Sequence, residues 1–551
     1  MNRRSLLFIV VLALLMVTGA MASGSARAAP GEARANWSPC YSELGLPFEC
    51  TLVNVPLDYE NPGRAAVQIA MVRLPAADQE NRIGSLFLNP GGPGGSGVDF
   101  ALAIAPVLYT PEVRARFDIV GFDPRGIMRS TGLRCFGTPR QWTGYITDFP
   151  YPTSPEEEAT WETADLYLVD NCDQRAQRII DHMSTADTAR DLDLLRQAVG
   201  DEQLTYAGFS YGSFLGNTYA NLFPDKVRAV VIDAVLDPVA WTTGEAGQGT
   251  TVPFSTRLRS DAGAQATLDE FFRLCDAGGP NCAFSGDSAT RYAALVERLR
   301  SNPLVVTLPD GSTFVFTDAH LIGETLGAMY NSFSWPSFAE FLALVDMLAP
   351  PAEIGASLDA YWQVAGFVNK RGDPAYPNGV EGFPGVACSD SDNPDNYAAW
   401  SAAATDAEAY GYFGPLWTWV SSICAQWPGS MESRFAGPFT ADTANPVLVV
   451  GNLYDPATRY EGAVTADALL QNSRLLTVDG WGHASLFLSQ CADTAVADYL
   501  VNGTLPAAGT ICTQDVVPFA DPPMMAASGT AAARARIMPQ MMLDAVRHGV
   551  R

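Results

Sequence analysis

Gly208-Phe209-Ser210-Tyr211-Gly212 sets a hydroxyl nucleophile between small residues, after the strand-like run Gln203-Leu204-Thr205-Tyr206-Ala207 and before a helix-like run from Ser213 to Leu222. A chain that turns this sharply from strand to helix has little room for a Cβ on either flank, and the turn lifts Ser210 Oγ above the sheet edge. The helix N-terminus beneath it favours developing negative charge. A serine hydroxyl needs a base to take its proton, and the base needs an acid to orient it. Only four histidines are present. His182 follows a polar helix-like run, His320 follows Asp318 in a helix-patterned stretch, and His548 lies in a basic tail. His483, in Asp479-Gly480-Trp481-Gly482-His483-Ala484, comes directly after the last strand-like run, where glycines free the loop to bring the imidazole over the sheet edge. The acid is best placed at Asp455, in Val449-Val450-Gly451-Asn452-Leu453-Tyr454-Asp455-Pro456, 28 residues before His483. Asp467 falls within a helix-like run, and Asp479 stands too close to His483.

Acyl transfer also needs donors for an oxyanion. Asn89-Pro90-Gly91-Gly92-Pro93-Gly94-Gly95-Ser96-Gly97 follows the strand-like run Gly84–Leu88, and its five glycines leave backbone N–H groups uncovered. The expected pair is the Gly92 N–H, with Gly91 as the alternative, and the Tyr211 N–H. A phosphate-cradling loop would end in Gly-Lys-Ser/Thr, which is missing. Arg125 in Asp123-Pro124-Arg125-Gly126 is expected to tie loops together. In Val386-Ala387-Cys388-Ser389-Asp390-Ser391-Asp392 the acids resemble a calcium loop only superficially, without its glycine and distal glutamate. Asp390 is the acid of that run expected to face the substrate. These groups need no metal and no cofactor.

The elements that must position them alternate. Cys50–Pro56 and Val67–Leu74 look like an antiparallel opening pair, and buried-strand runs follow at Gly84–Leu88, Asp118–Phe122, Gln203–Ala207, Val227–Asp233, Pro446–Gly451 and Arg474–Val478. Helical periodicity lies between most of them, as in Ala189–Val199, where Leu192, Leu195 and Val199 share a face. Strands alternating with helices predict a mostly parallel, doubly wound α/β sheet. The chain order Ser210, Asp455, His483 is that of an α/β-hydrolase fold. Residues 131–186 are read as an excursion, and residues 240–440, helix-patterned and rich in aromatics, as a large helical cap between the sixth and seventh strands. The expected division is 1–28 signal peptide, 40–239 first part of the core, 240–440 cap, 441–515 second part of the core, and 516–551 tail.

Arg3 and Arg4, an apolar run from Leu6 to Val17 and two Ala-x-Ala sites read as a secretory signal peptide. The apolar run is short for a membrane span and no second one follows, so no integral membrane span is expected. The expected location is secreted, periplasmic or in the cell envelope. Removing residues 1–28 takes away three arginines and no acid, making the mature chain more acidic than the −26 of the full sequence. Such a surface argues against nucleic acid as partner. Ten cysteines behind an export signal predict disulfides, and pairing neighbours in order (40–50, 135–172, 275–282, 388–424, 491–512) closes the shortest loops.

Asn89–Gly97, Val120–Gly126, Ser184–Arg196, Gly208–Gly212, Asp455-Pro456 and Gly482-His483 together resemble secreted bacterial tripeptidyl aminopeptidases, in the prolyl-aminopeptidase-like branch of the α/β-hydrolases, a branch that also holds carboxylesterases. The resemblance covers roughly residues 40–515. It implies a serine exopeptidase that releases short peptides from free N-termini, with Ser210, Asp455 and His483 as its triad and peptides, or small esters, as partners. Asp455-Pro456-Ala457-Thr458 matches the family's Asp-Pro-x-Thr pattern, which implies that Thr458 supports the acid or contacts substrate. Met128 stands where the family usually has glycine, and the stretch beyond about 520 has no counterpart.

Overall fold

The computed structural model describes residues 34–307, 313–348 and 379–520. The expected signal peptide, 1–28, lies outside the described residues, as does the tail beyond 520. Ten strands form one sheet: β1 (Ser38–Pro39), β2 (Glu49–Pro56), β3 (Ala66–Leu74), β4 (Gly84–Asn89), β5 (Phe117–Phe122), β6 (Leu204–Phe209), β7 (Val227–Asp233), β10 (Val447–Tyr454), β11 (Ser473–Trp481) and β12 (Ile511–Thr513). A separate antiparallel hairpin pairs β8 (Leu304–Thr307) with β9 (Thr313–Phe316). The sheet runs β1-β2-β3-β5-β4-β6-β7-β10-β11-β12, antiparallel from β1 to β5 and parallel from there on.

A parallel sheet covered on both faces needs strands that are apolar on both. The alternation of side chains along β4 shows this directly. Leu86 and Leu88 enter a cluster with Ile119, Phe209 and Val231, while Phe87 enters the opposite one with Val120, Tyr206 and Ile232. Polar residues therefore gather at the strand ends: Asn89, Asp233 and Asp455 are all buried at the carboxyl edge of the parallel strands or in the loops leaving it. Open α/β sheets hold their ligands along that edge.

Between β7 and β10 the chain forms helices Ser260–Gly278, Ser288–Ser301, Asp318–Met329, Trp335–Leu348 and Gly379–Asp390, among others. The first four share an aromatic-rich core of their own, which includes Phe271, Tyr292, Trp335, Trp400 and Trp419, whereas Val386, Ala387 and Cys388 of Gly379–Asp390 join a cluster of the sheet. Two features differ from the sequence reading. The hairpin β8–β9 interrupts the helical pattern, with alternation over only four residues per strand and thus little periodicity to detect. Phe519, placed beyond the core in the division above, is buried against Phe271 of this layer. The excursion of residues 131–186 joins both regions. Its helix Pro155–Arg175 is tied by Cys135–Cys172, and Trp161 Nε1 donates to Ser422 Oγ at 2.8 Å. All five disulfides pair neighbouring cysteines: 40–50, 135–172, 275–282, 388–424 and 491–512.

Arg125 ties loops, as its position at the end of β5 suggested. Its fully buried guanidinium donates to both oxygens of Asp191 at 2.6 and 2.7 Å and to the carbonyls of Pro56, Leu57 and His182. A planar fork with five donors suits this multiple capture, and lysine would not supply it. Met128 takes φ +43°, which explains why glycine suits that position. Replacing Arg125 with alanine strands the buried Asp191 carboxylate. The unfolding free energy of the oxidised protein in urea is expected to fall by about 3–5 kcal/mol.

Candidate active site

Ser210 sits between β6 and the helix Tyr211–Leu222 at φ 57° and ψ −128°, a strained conformation for a residue with a side chain. Its N–H donates to the Asp233 carbonyl at 3.0 Å, and its carbonyl accepts from Ser213 N at 2.8 Å. A Cβ on Gly212 would lie 2.6 Å from the Asn89 carbonyl oxygen, and one on Gly91 would lie 2.8 Å from Ser210 Cβ, so glycine is required at both. The Gly91 N–H is occupied by Asn89 Oδ1 at 2.9 Å. The Gly92 and Tyr211 N–H groups make no hydrogen bond among the described residues, and Gly92 lines the same cavity as Ser210. Two backbone donors thus stay uncommitted beside the serine, and Gly92 is favoured over Gly91.

Asp455 and His483 are brought together. The ring Nδ1–H donates to Asp455 Oδ1 at 2.9 Å and lies 3.0 Å from Oδ2. The remaining lone pairs are also used. Oδ1 accepts from the Ala457 and Thr458 N–H groups at 2.9 and 2.8 Å, and Oδ2 accepts from Thr458 Oγ1 at 3.0 Å and Ala484 N at 3.3 Å. Asp-Pro-x-Thr is therefore a turn that wraps its own carboxylate, which fixes the plane in which the imidazole can bond. With Nδ1–H committed to the carboxylate, Nε2 is the acceptor of the neutral ring. Asn452 Nδ2 donates to the carbonyls on either side of the histidine, Gly482 at 2.9 Å and Ala484 at 2.8 Å, and His483 N donates to the Tyr330 carbonyl at 3.0 Å. Tyr330 also packs edge-on against the imidazole, with ring centroids 5.0 Å apart.

Ser210, His483, Thr458 and Gly92 line one cavity. Its other walls are mainly apolar: Leu236, Trp241, Phe254, Tyr330, Phe383 and Trp417 stand out. No Asp, Glu, Lys or Arg is among the described residues that line it. Ser210 Oγ and His483 share this cavity without a hydrogen bond between them in this state, and such contacts often tighten only with substrate bound.

Asp390 is not brought to the cavity. Its carboxylate lies behind the wall, accepting from Thr185 N at 2.8 Å, Thr185 Oγ1 at 2.6 Å and Trp241 Nε1 at 3.4 Å. Thr185 Oγ1 also meets the Tyr211 hydroxyl, so Asp390 braces residues around the serine and does not face substrate. Neither His320 nor His182 is among the residues that line this cavity: the His320 ring caps its own helix through Thr317, and the backbone carbonyl of His182 accepts from Arg125. His548 lies outside the described residues. Sequence reasoning missed Tyr330, whose position in a helix-patterned region carries no signal. It also missed Asp233, although a carboxylate ending the apolar run Val227–Asp233 is a visible anomaly.

Burial pushes the Asp390 and Glu381 carboxyls up to about 7 and that of Asp233 to about 6, more than their hydrogen bonds pull them down. A carboxyl whose folded value exceeds its unfolded one binds more protons in the folded state. Its stabilisation is complete below about pH 4 and is lost as pH rises through its folded value. The thermal midpoint is therefore expected to fall between about pH 5 and pH 8. Asp390→Asn should shrink that fall, and an unchanged fall would place the titration elsewhere.

Comparison with known proteins follows the same lines. A family model described as "alpha/beta hydrolase fold" matches residues 84–264, and one described as "TAP-like protein" matches residues 409–512. The chain is 32% identical over 492 residues to carboxylesterase B of Mycobacterium tuberculosis, covering 87% of this chain and 89% of that protein. It is 30% identical over 523 residues to tripeptidyl aminopeptidase of Streptomyces lividans, covering 90% of each. To serine protease Hip1 of M. tuberculosis it is 31% identical over 498 residues, covering 86% and 90%.

Proposed function

Because the chain belongs to the α/β-hydrolases with a TAP-like C-terminal segment, we propose that it is a serine exopeptidase releasing short peptides, tripeptides by likeness to its relatives, from free N-termini. Hydrolysis is the part its family already carries. The observation that supports these residues is the Asp455–His483 pair held at the cavity that also takes in Ser210.

Ser210 Oγ attacks the scissile carbonyl while His483 Nε2 accepts its proton. The same nitrogen then returns the proton to the leaving amine, and water resolves the acyl-enzyme by the reverse sequence. Asp455 holds the ring tautomer and stabilises the imidazolium. Thr458 fixes the Asp455 carboxylate. The Gly92 and Tyr211 N–H groups donate to the tetrahedral oxyanion, where fixed dipoles need no reorganisation. The aromatic walls favour an apolar acyl side, since burying each large side chain there contributes about 1.5–3 kcal/mol. Five disulfides favour an oxidising compartment outside the cytoplasm, in keeping with export directed by residues 1–28.

A second reading, a carboxylesterase using the same residues, is favoured by the lack of any carboxylate among the described lining residues to pair with an α-ammonium group. Tripeptide anilides with free and acylated amines, run beside short acyl esters, separate the two. The exopeptidase reading expects acylation of the amine to lower kcat/KM at least about tenfold, equivalent to about 1.4 kcal/mol. Equal turnover of blocked peptides, or turnover of esters alone, would overturn it. Ser210→Ala should abolish turnover of either class, and Asp455→Asn should lower kcat about 10⁴-fold with the fold intact by circular dichroism.

A further inference from the structure

Asp233 ends β7 and is 1% exposed. It touches both halves of the site. Its carbonyl accepts the Ser210 N–H at 3.0 Å, and its carboxylate grips Ser485, two residues past His483. Ser485 N donates to Oδ1 at 3.1 Å and Oδ2 at 3.0 Å, and Ser485 Oγ donates to Oδ2 at 2.7 Å. The parallel ladder pairs Asp233 with Phe209, the residue before the serine, so nucleophile and histidine loop are referenced to one position in the sheet.

Among the described residues, the charged and titratable groups that act on Asp233 are Asp455 from the loop after β10, His483 from the loop after β11, and Tyr109, which also faces Asp493 of the helix Gln490–Asn502. None of them is an arginine or lysine, and Asp233 makes no salt bridge among the described residues. The imidazole is thus the one cationic partner within that group, and only when it is protonated.

We propose that Asp233 is a positioning residue serving His483: it anchors the histidine loop through Ser485, and its negative charge favours the imidazolium that forms as Ser210 attacks. The inference rests on the hydrolytic reading of Ser210 and His483. Burial and Asp455 raise the Asp233 carboxyl to about 6, so it is mostly ionised at neutral pH, when the imidazole must accept a proton. Asp455 holds the ring directly. Asp233 acts from Ser485, two residues along the loop, through backbone and field.

The test is the rate of Ser210 labelling by a small fluorophosphonate as a function of pH, beside kcat and KM, for wild type, Asp233→Asn and Ser485→Ala. Asp233→Asn preserves shape and removes the charge. Its labelling rate and kcat should fall roughly tenfold or more, with KM nearly unchanged, and its acid limb should move to lower pH by roughly 0.5–1 unit. Ser485→Ala keeps the charge and loosens the anchor, so kcat should fall while the limb stays in place. If Asp233→Asn labels like wild type with an unmoved limb, the proposal is overturned. Should that variant not fold, wild-type kcat in Ser485→Ala overturns it instead. A wild-type protein labelled nowhere would mean that the hydrolytic reading itself had failed, a separate result.

Discussion

The contact between Asp455 and His483 constrains the rest of the site. A hydrogen bond at one nitrogen of an imidazole fixes its tautomer and ring plane, and so aims Nε2 as the acceptor for a neighbouring hydroxyl. Here that plane is set by a carboxylate whose own lone pairs are taken by the turn it starts, from Ala457 and Thr458, and by Ala484 N of the histidine loop. Asn452 and the Tyr330 carbonyl then pin the backbone around the histidine. Each of these groups is buried, where an unmatched polar atom costs about 1–3 kcal/mol, so the arrangement has few low-energy alternatives.

The sheet makes such a contact possible. Parallel strands covered on both faces push polar residues to their carboxyl ends, and β6, β7 and β10 are neighbours there. Ser210, Asp233 and Asp455 leave from adjacent strands, and His483 returns from the next. The helices between β7 and β10 add the aromatic walls and brace the elbow from behind, through Asp390, Thr185 and Tyr211. The cavity therefore combines polar machinery on the sheet side with an apolar enclosure from the helical layer.

Much of this was legible in the residues themselves. Gly208–Gly212 announces its own geometry because only that spacing of small residues permits the turn, and the glycines after β4 and around His483 do the same. The strands were visible because burial on both faces leaves unbroken apolar runs, and the disulfides because neighbouring cysteines close short loops. Asp390 misled because an acid in a loop-like run looks exposed in sequence, whereas its last helical turn buries it against Thr185. The hairpin Leu304–Thr307 with Thr313–Phe316 was too short to show a period of two, and the contacts of Phe519 with Phe271 depend on a chain return that no local pattern encodes.

The central claim is that Ser210 carries the acyl group during turnover. Acid quenching within the first turnover of an activated acyl substrate, followed by intact-mass and peptide mass spectrometry, tests it most directly. A single acyl adduct on Ser210, formed in a burst of about one equivalent and cleared as substrate is exhausted, is the predicted result. Turnover with no adduct, or with the acyl group on any other residue, would contradict the account.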